Sequence, residues 1–80
     1  MAKNLCKKMR PVNDPYEIWK SRDGSWTWHV LSKSHADDGR IHSKNPYVRW
    51  FCNVVTPFVP QGEMGDVYAS DIKRYGYRVK

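Results

Sequence analysis

Acidic residues are missing from both ends of this 80-residue chain, and long apolar runs are missing from all of it. The longest uninterrupted apolar stretches are two or three residues, such as Trp50-Phe51-Cys52, so no segment has the length of a membrane-spanning helix. The opening MAKNLCKKMRP is basic but has no apolar stretch behind its charges, unlike a secretory signal. Cysteine occurs twice, as Cys6 and Cys52, too few for a disulfide framework. A reduced, cytoplasmic setting is therefore expected. There is no Cys-x-x-Cys or His-x-x-x-His pair, the short spacing that lets two ligands share one metal tetrahedron. Cys6, Cys52, His29, His35, His42, Asp37 and Asp38 are the remaining donors, and no metal is expected from them. A phosphate-cradling glycine loop is also missing, and no cofactor is implied.

What the chain does have is aromatic residues and terminal positive charge. Four Trp and 5 Tyr stand against 2 Phe, and the hydrophobic share of 40 % is too high for a disordered chain. The net charge of +6 is unevenly spread. Lys3, Lys7, Lys8 and Arg10 give the first ten residues +4, and Lys73, Arg74, Arg78 and Lys80 give residues 73–80 another +4. Residues 11–72 keep 6 cations against 8 acids, so the body of the domain is close to neutral at −2. Residues 1–13 read as a basic mobile tail, and 14–80 as one β-rich domain.

Two runs rich in aromatic and β-branched residues, Tyr16–Lys20 and Trp26–Leu31, flank Ser21-Arg22-Asp23-Gly24-Ser25 and read as a hairpin. A two-residue Asp23-Gly24 loop sets Trp19 against Trp28, but it also sets Glu17 against Val30 and Ile18 against His29, mixing both faces. A three-residue loop, Arg22-Asp23-Gly24, pairs Ile18 with Trp28, Tyr16 with Val30 and Lys20 with Trp26. It collects Tyr16, Ile18, Trp26, Trp28 and Val30 on one apolar face and leaves Glu17 opposite His29, beside Trp19, Thr27 and Leu31. A one-residue slip reverses a strand's faces, so the cleaner register is the expected one.

Residues 34–45 form a polar connector. In the third strand, Tyr47–Val55, Val48, Trp50, Cys52 and Val54 make a wholly apolar face, while Tyr47, Arg49, Phe51, Asn53 and Val55 make a half-covered one. Two prolines and two glycines exclude Pro57–Gly65 from a central strand, and Phe58 and Val59 are expected to cap the core. Residues 66–75 read either as a helix or as a strand followed by a helical turn, with Tyr77–Val79 as a last strand. The strand-and-turn version suits a small closed sheet better. The fold class is mainly β: a small antiparallel sheet or partly open barrel, SH3-like or OB-like, with one short helical turn near residues 70–75.

The motifs Asp14-Pro15-Tyr16-Glu17-Ile18-Trp19, Asp23-Gly24-Ser25-Trp26-Thr27-Trp28, Arg49-Trp50-Phe51-Cys52 and Gly65-Asp66-Val67-Tyr68 occur in this order. Over residues 14–73 this resembles small accessory proteins of actinobacterial phages and prophages. The resemblance implies a phage accessory gene expressed in a bacterial cytoplasm. It carries over no activity and no catalytic residue.

The residues themselves point to binding rather than catalysis. Cys52 falls on an apolar face, where burial disables a thiol. Trp19, Tyr47 and Phe51 exceed what a small core absorbs; with Arg49 and Glu17 they form the expected partner-binding face, meeting a host or phage protein or a second copy. The alternative is nucleic-acid binding, with Lys7, Lys8, Arg10, Arg74, Arg78 and Lys80 on phosphates and Tyr75 and Tyr77 stacking on bases.

Overall fold

Strict apolar alternation from Val48 to Val54 makes a strand, and that strand organises the sheet. The computed structural model describes residues 9–33 and 48–80. Its elements are β1 (Glu17–Ser21), β2 (Thr27–Lys33), β3 (Arg49–Val55), β4 (Glu63–Tyr68), α1 (Ala69–Tyr75) and β5 (Gly76–Arg78). The strands form one open antiparallel sheet in the order β4-β3-β2-β1-β5, consistent with a small SH3-like or OB-like β domain. Helix α1 carries the chain from one sheet edge to the other. It is too short to be stable alone. Burial of Ala69 and Ile72 holds it, together with hydrogen bonds from Ala69 N–H to the Val48 carbonyl (2.9 Å) and from Gly76 N–H to the Ile72 carbonyl.

Ala69 and Ile72 pack on Trp28, Val30, Val48, Trp50 and Cys52, with Trp19, Val54 and Val67 at the margin. The face expected of the third strand is thus the core, and Trp50, 1 % exposed, is its largest wholly buried side chain. The preference for a strand and turn over a long helix in residues 66–75 holds. The strand begins earlier, at Glu63, on an edge where glycine is tolerated.

The hairpin register differs from expectation. Trp19 faces Trp28, Glu17 faces Val30 and Ile18 faces His29, so the expected pairings of Ile18 with Trp28 and Glu17 with His29 do not form. The loop has four residues, 22–25, closed by Ser21 N–H donating to the Trp26 carbonyl (2.9 Å). Its geometry comes from polar side chains. Asp23 Oδ1 accepts from Ser21 Oγ (2.7 Å), Ser25 N–H (2.9 Å) and Ser25 Oγ (2.7 Å), while Ser21 Oγ accepts from Trp26 N–H (2.9 Å). Such local side-chain bonds set turn geometry.

This register puts the Glu17 carboxylate on the core side, where it is 12 % exposed. A bulge makes that tolerable. Val30 pairs with Cys52 but Ser32 pairs with Phe51, so Leu31 is one residue too many in β2. Lys33 therefore comes opposite Trp50 and reaches Glu17 Oε2 at 2.5 Å. Trp19 Nε1 donates to Glu17 Oε1 at 2.8 Å. The Lys33 ammonium also lies 4.3 Å from the Trp50 ring centroid, and that of Lys73 5.3 Å, so cation–π attraction supports the same cluster.

Two further expectations change. Residues 9–13, assigned to a mobile tail, are tied to the domain: Arg10 N–H donates to the Leu31 carbonyl (2.8 Å), and the Arg10 guanidinium pairs with Asp14 and lies over Tyr16. Phe58 does not cap the core but stands 89 % exposed on the β3–β4 loop, because a turn between Thr56 and Val59 directs it outward.

Gly76 and Gly24 make opposite demands. A Cβ at Gly76 would meet the Lys20 carbonyl oxygen at 2.6 Å and the Trp28 ring at 2.8 Å, whereas at Gly24 it would meet nothing but strain a backbone at φ +82°. Gly76→Ala is expected to lower unfolding free energy by about 3 kcal/mol, the upper end for overpacking, by prising β5 from β1. Gly24→Ala should cost about 1 kcal/mol, for backbone conformation alone. Urea denaturation of both variants checks the order.

Candidate binding groove

The residues expected to share one partner-binding face divide between two. Glu17 and Trp19 lie on the helix-covered side, with Trp19 packed 6.0 Å from Trp50, because the hairpin register is shifted by one residue. Arg49 and Phe51 stay on the opposite side, Arg49 exposed over the Tyr68 ring at 5.9 Å and Phe51 half-buried. Tyr47 lies outside the described residues, as do Lys7 and Lys8.

The basic C-terminal set is also divided. Arg74 and Tyr75 belong to α1, while Tyr77 and Arg78 belong to β5, so residues 74–80 form no single alternating strand. Arg78 turns toward Glu17 Oε2 (3.6 Å), its Nε donates to the Lys80 carbonyl (2.8 Å), and Tyr77 is exposed beside Lys20. Arg10 is held by Asp14.

Trp26 was expected in the core and is 44 % exposed. It shares a sheet face with Trp28, 6.1 Å away between ring centroids, but α1 does not extend over it. Two concavities open where the helix stops. The first, about 450 Å³, is lined by Trp26, Trp28 and Tyr75 with Ser21, Ser25, Arg22, Asp23 and Arg74. Arg22 N–H donates to the Tyr75 carbonyl (3.0 Å), fixing the turn against the helix end. The second, about 230 Å³, has Trp26 as a wall too, with Val54, Val59, Val67, Glu63 and Asp66 among its other residues. Trp26 is therefore an exposed indole bordering two hollows of mainly apolar character. No protein-family model, curated protein or solved structure matches this chain.

Sequence reasoning missed Trp26 and Arg22 as site residues. The signal that could have found them is the Ser-x-Asp-x-Ser spacing at 21, 23 and 25. Three short polar side chains at that spacing can tie a longer loop, which moves Trp26 to the end of the sheet.

The titratable groups explain what the groove's surroundings do chemically. Asp23 is held down to about 2 by the Ser25 N–H and the Ser21 and Ser25 hydroxyls, so it stays ionised within the turn. Burial pushes the Cys52 thiol up to about 12, with the charges of Asp66 and Glu17 adding to the effect. As a wholly buried, protonated thiol, Cys52 packs rather than attacks. Among the described residues no three His, Cys, Asp or Glu gather into a metal-binding group, and no helix is long and apolar enough to cross a membrane. His35, His42, Asp37, Asp38 and Cys6 lie outside the described residues.

Glu17 and His29 give the fold two separate acid sensitivities. Burial lowers the pKa of His29 from its ordinary 6.5, and the ring's Nδ1 has no hydrogen-bond partner among the described residues. The unfolded chain then takes up the proton first. Stability is full above pH 6.5 and falls as pH drops from there toward the folded-state value. Burial alone would raise Glu17, but hydrogen bonds from Lys33 and Trp19, with the charges of Lys33 and Arg78, outweigh it and hold the carboxyl below its ordinary 4.5. Its contribution is complete above pH 4.5 and is lost as pH falls through the lowered value. Thermal melting against pH should show two descending steps. His29→Gln should remove the upper one and Glu17→Gln the lower.

Proposed function

We propose that this chain is a small non-enzymatic module that binds another protein, of a phage or its bacterial host, by receiving a peptide segment in the groove at Trp26. The exposure of Trp26 beside two mainly apolar hollows is the observation that carries this reading. A rigid indole at the centre of a concave surface is the usual form of an interface anchor. The phage or host partner and the cytoplasmic setting follow from the sequence resemblance. The function would be occlusion or recruitment. Cys52, the one described thiol, being sealed in the core supports a role without covalent chemistry.

Arg22, Arg74, Trp26 and Tyr75 also support a second reading, in which a single nucleic-acid strand stacks its bases on the rings and sets its phosphates on the arginines. Selection with a random linear peptide library and titration with random single-stranded oligonucleotides separate the two. The peptide reading expects selected peptides to lose roughly 2 kcal/mol of binding with Trp26→Ala, the cost of a central anchor. The variant loses the ring contact with Trp28, so a modest drop in melting temperature with the fold retained is expected, which circular dichroism checks. Binding that survives Trp26→Ala but is lost in Arg49→Ala/Phe51→Ala would move the site to the opposite sheet face. Oligonucleotide binding with a steep salt dependence, and no peptide binding, would establish the second reading.

A further inference from the structure

The two hollows beside Trp26 differ in charge, and none of their long charged side chains has a partner of opposite sign among the described residues. Arg22 and Arg74 line the first, where the only acid among the described residues is Asp23. The Asp23 carboxylate already accepts three hydrogen bonds inside the turn. Glu63 lines the second from the sheet face it shares with Val54, with no cation beside it among the described residues, while Asp66 pairs with Phe51 and belongs to the other face. Among the described residues Arg22, Arg74 and Glu63 make no ion pair; those that form join Arg10 to Asp14, and Lys33 and Arg78 to Glu17. All three are exposed. An exposed apolar wall thus stands between a cationic end and an anionic end.

From this we infer that the partner segment is bipolar: acidic residues meet Arg22 and Arg74, an apolar side chain rests against Trp26, and a basic residue meets Glu63. The inference rests on the reading of the groove as a peptide site and specifies what that peptide is. Unpaired charges at a binding surface select for complementary ones and reject like ones. A nucleic-acid strand laid across Trp26 would carry phosphates from the arginines directly onto the Glu63 carboxylate. A flexible segment with charges of both signs satisfies both ends and fills both hollows.

Three synthetic peptides share one apolar centre and differ in their flanks: acidic on one side and basic on the other, acidic on both, or basic on both. Fluorescence anisotropy with the full chain is expected to give the bipolar peptide about tenfold tighter binding than either uniform one, an advantage that shrinks as salt is raised. Arg74→Glu should shift preference to the basic peptide and Glu63→Lys to the acidic one. Both residues are exposed, so these variants should fold, which circular dichroism checks. Equal binding of all three peptides, or tightest binding of a uniform one, while Trp26→Ala still abolishes it, overturns the charge order and leaves the groove reading standing. If no peptide binds in a Trp26-dependent way, if only oligonucleotides bind, or if a dimer forms that excludes all three peptides, both readings fall.

Discussion

The carboxylate of Glu17 is the constraint around which this sheet is built. A charge largely removed from water is costly unless it is paired and hydrogen-bonded. Here Lys33 pairs with it, Trp19 donates to it and Arg78 lies near it. Trp19 stands two residues along the same strand, but Lys33 and Arg78 come from the strands on either side, and each arrives through a specific feature of the chain. Lys33 needs the bulge at Leu31, and Arg78 needs β5 beside β1. The ion pair adds little stability by itself after desolvation. Its effect is selective, because any other register would leave a carboxylate or an ammonium facing the core alone.

That constraint also explains which parts of the fold were legible beforehand. In the third strand, positions 48, 50, 52 and 54 are all apolar, so the pattern has one solution and the structure adopts it. Residues 66–75 were legible as strand and turn because a small sheet closes better with a further strand there than with a long helix. The hairpin was not. Its correct register looks wrong locally, since it sets Glu17 beside Trp19 and Val30. The lysine that makes it acceptable lies 16 residues away along the chain, beyond a bulge that no local periodicity announces. Trp26 was misplaced for the same reason: the cleaner register needed it as a core residue. The candidate site was thus hidden by the same slip that misassigned Glu17 and Trp19 to the surface.

The shortness of α1 completes the picture. Seven residues suffice to cover Trp28, Val30, Trp50 and Cys52, and then Gly76 turns the chain into β5 against a Trp28 ring that admits no Cβ. The helix-covered face therefore runs out of cover before the sheet does. Trp26, Val54 and Val67 extend past the helix end, and the turn residues Arg22 and Asp23 wall one side. The groove is what remains when a small core is closed by the least helix that will close it.

The bulge at Leu31 makes this domain sensitive to length in a way that its composition does not reveal. One surplus residue in β2 changes which side chains face the core from there to the end of the strand. Evolutionary drift by substitution along this segment is buffered, because most positions need only be apolar or polar. Drift by insertion or deletion is not. Adding a residue there would carry Lys33 away from Trp50 and isolate Glu17, while removing Leu31 would keep Lys33 opposite Trp50 but take a wholly buried side chain from the sheet. Gene-length changes compatible with this fold should therefore accumulate in the turns and termini, and the spacing between Trp28 and Lys33 should persist longer than the identity of the residues within it.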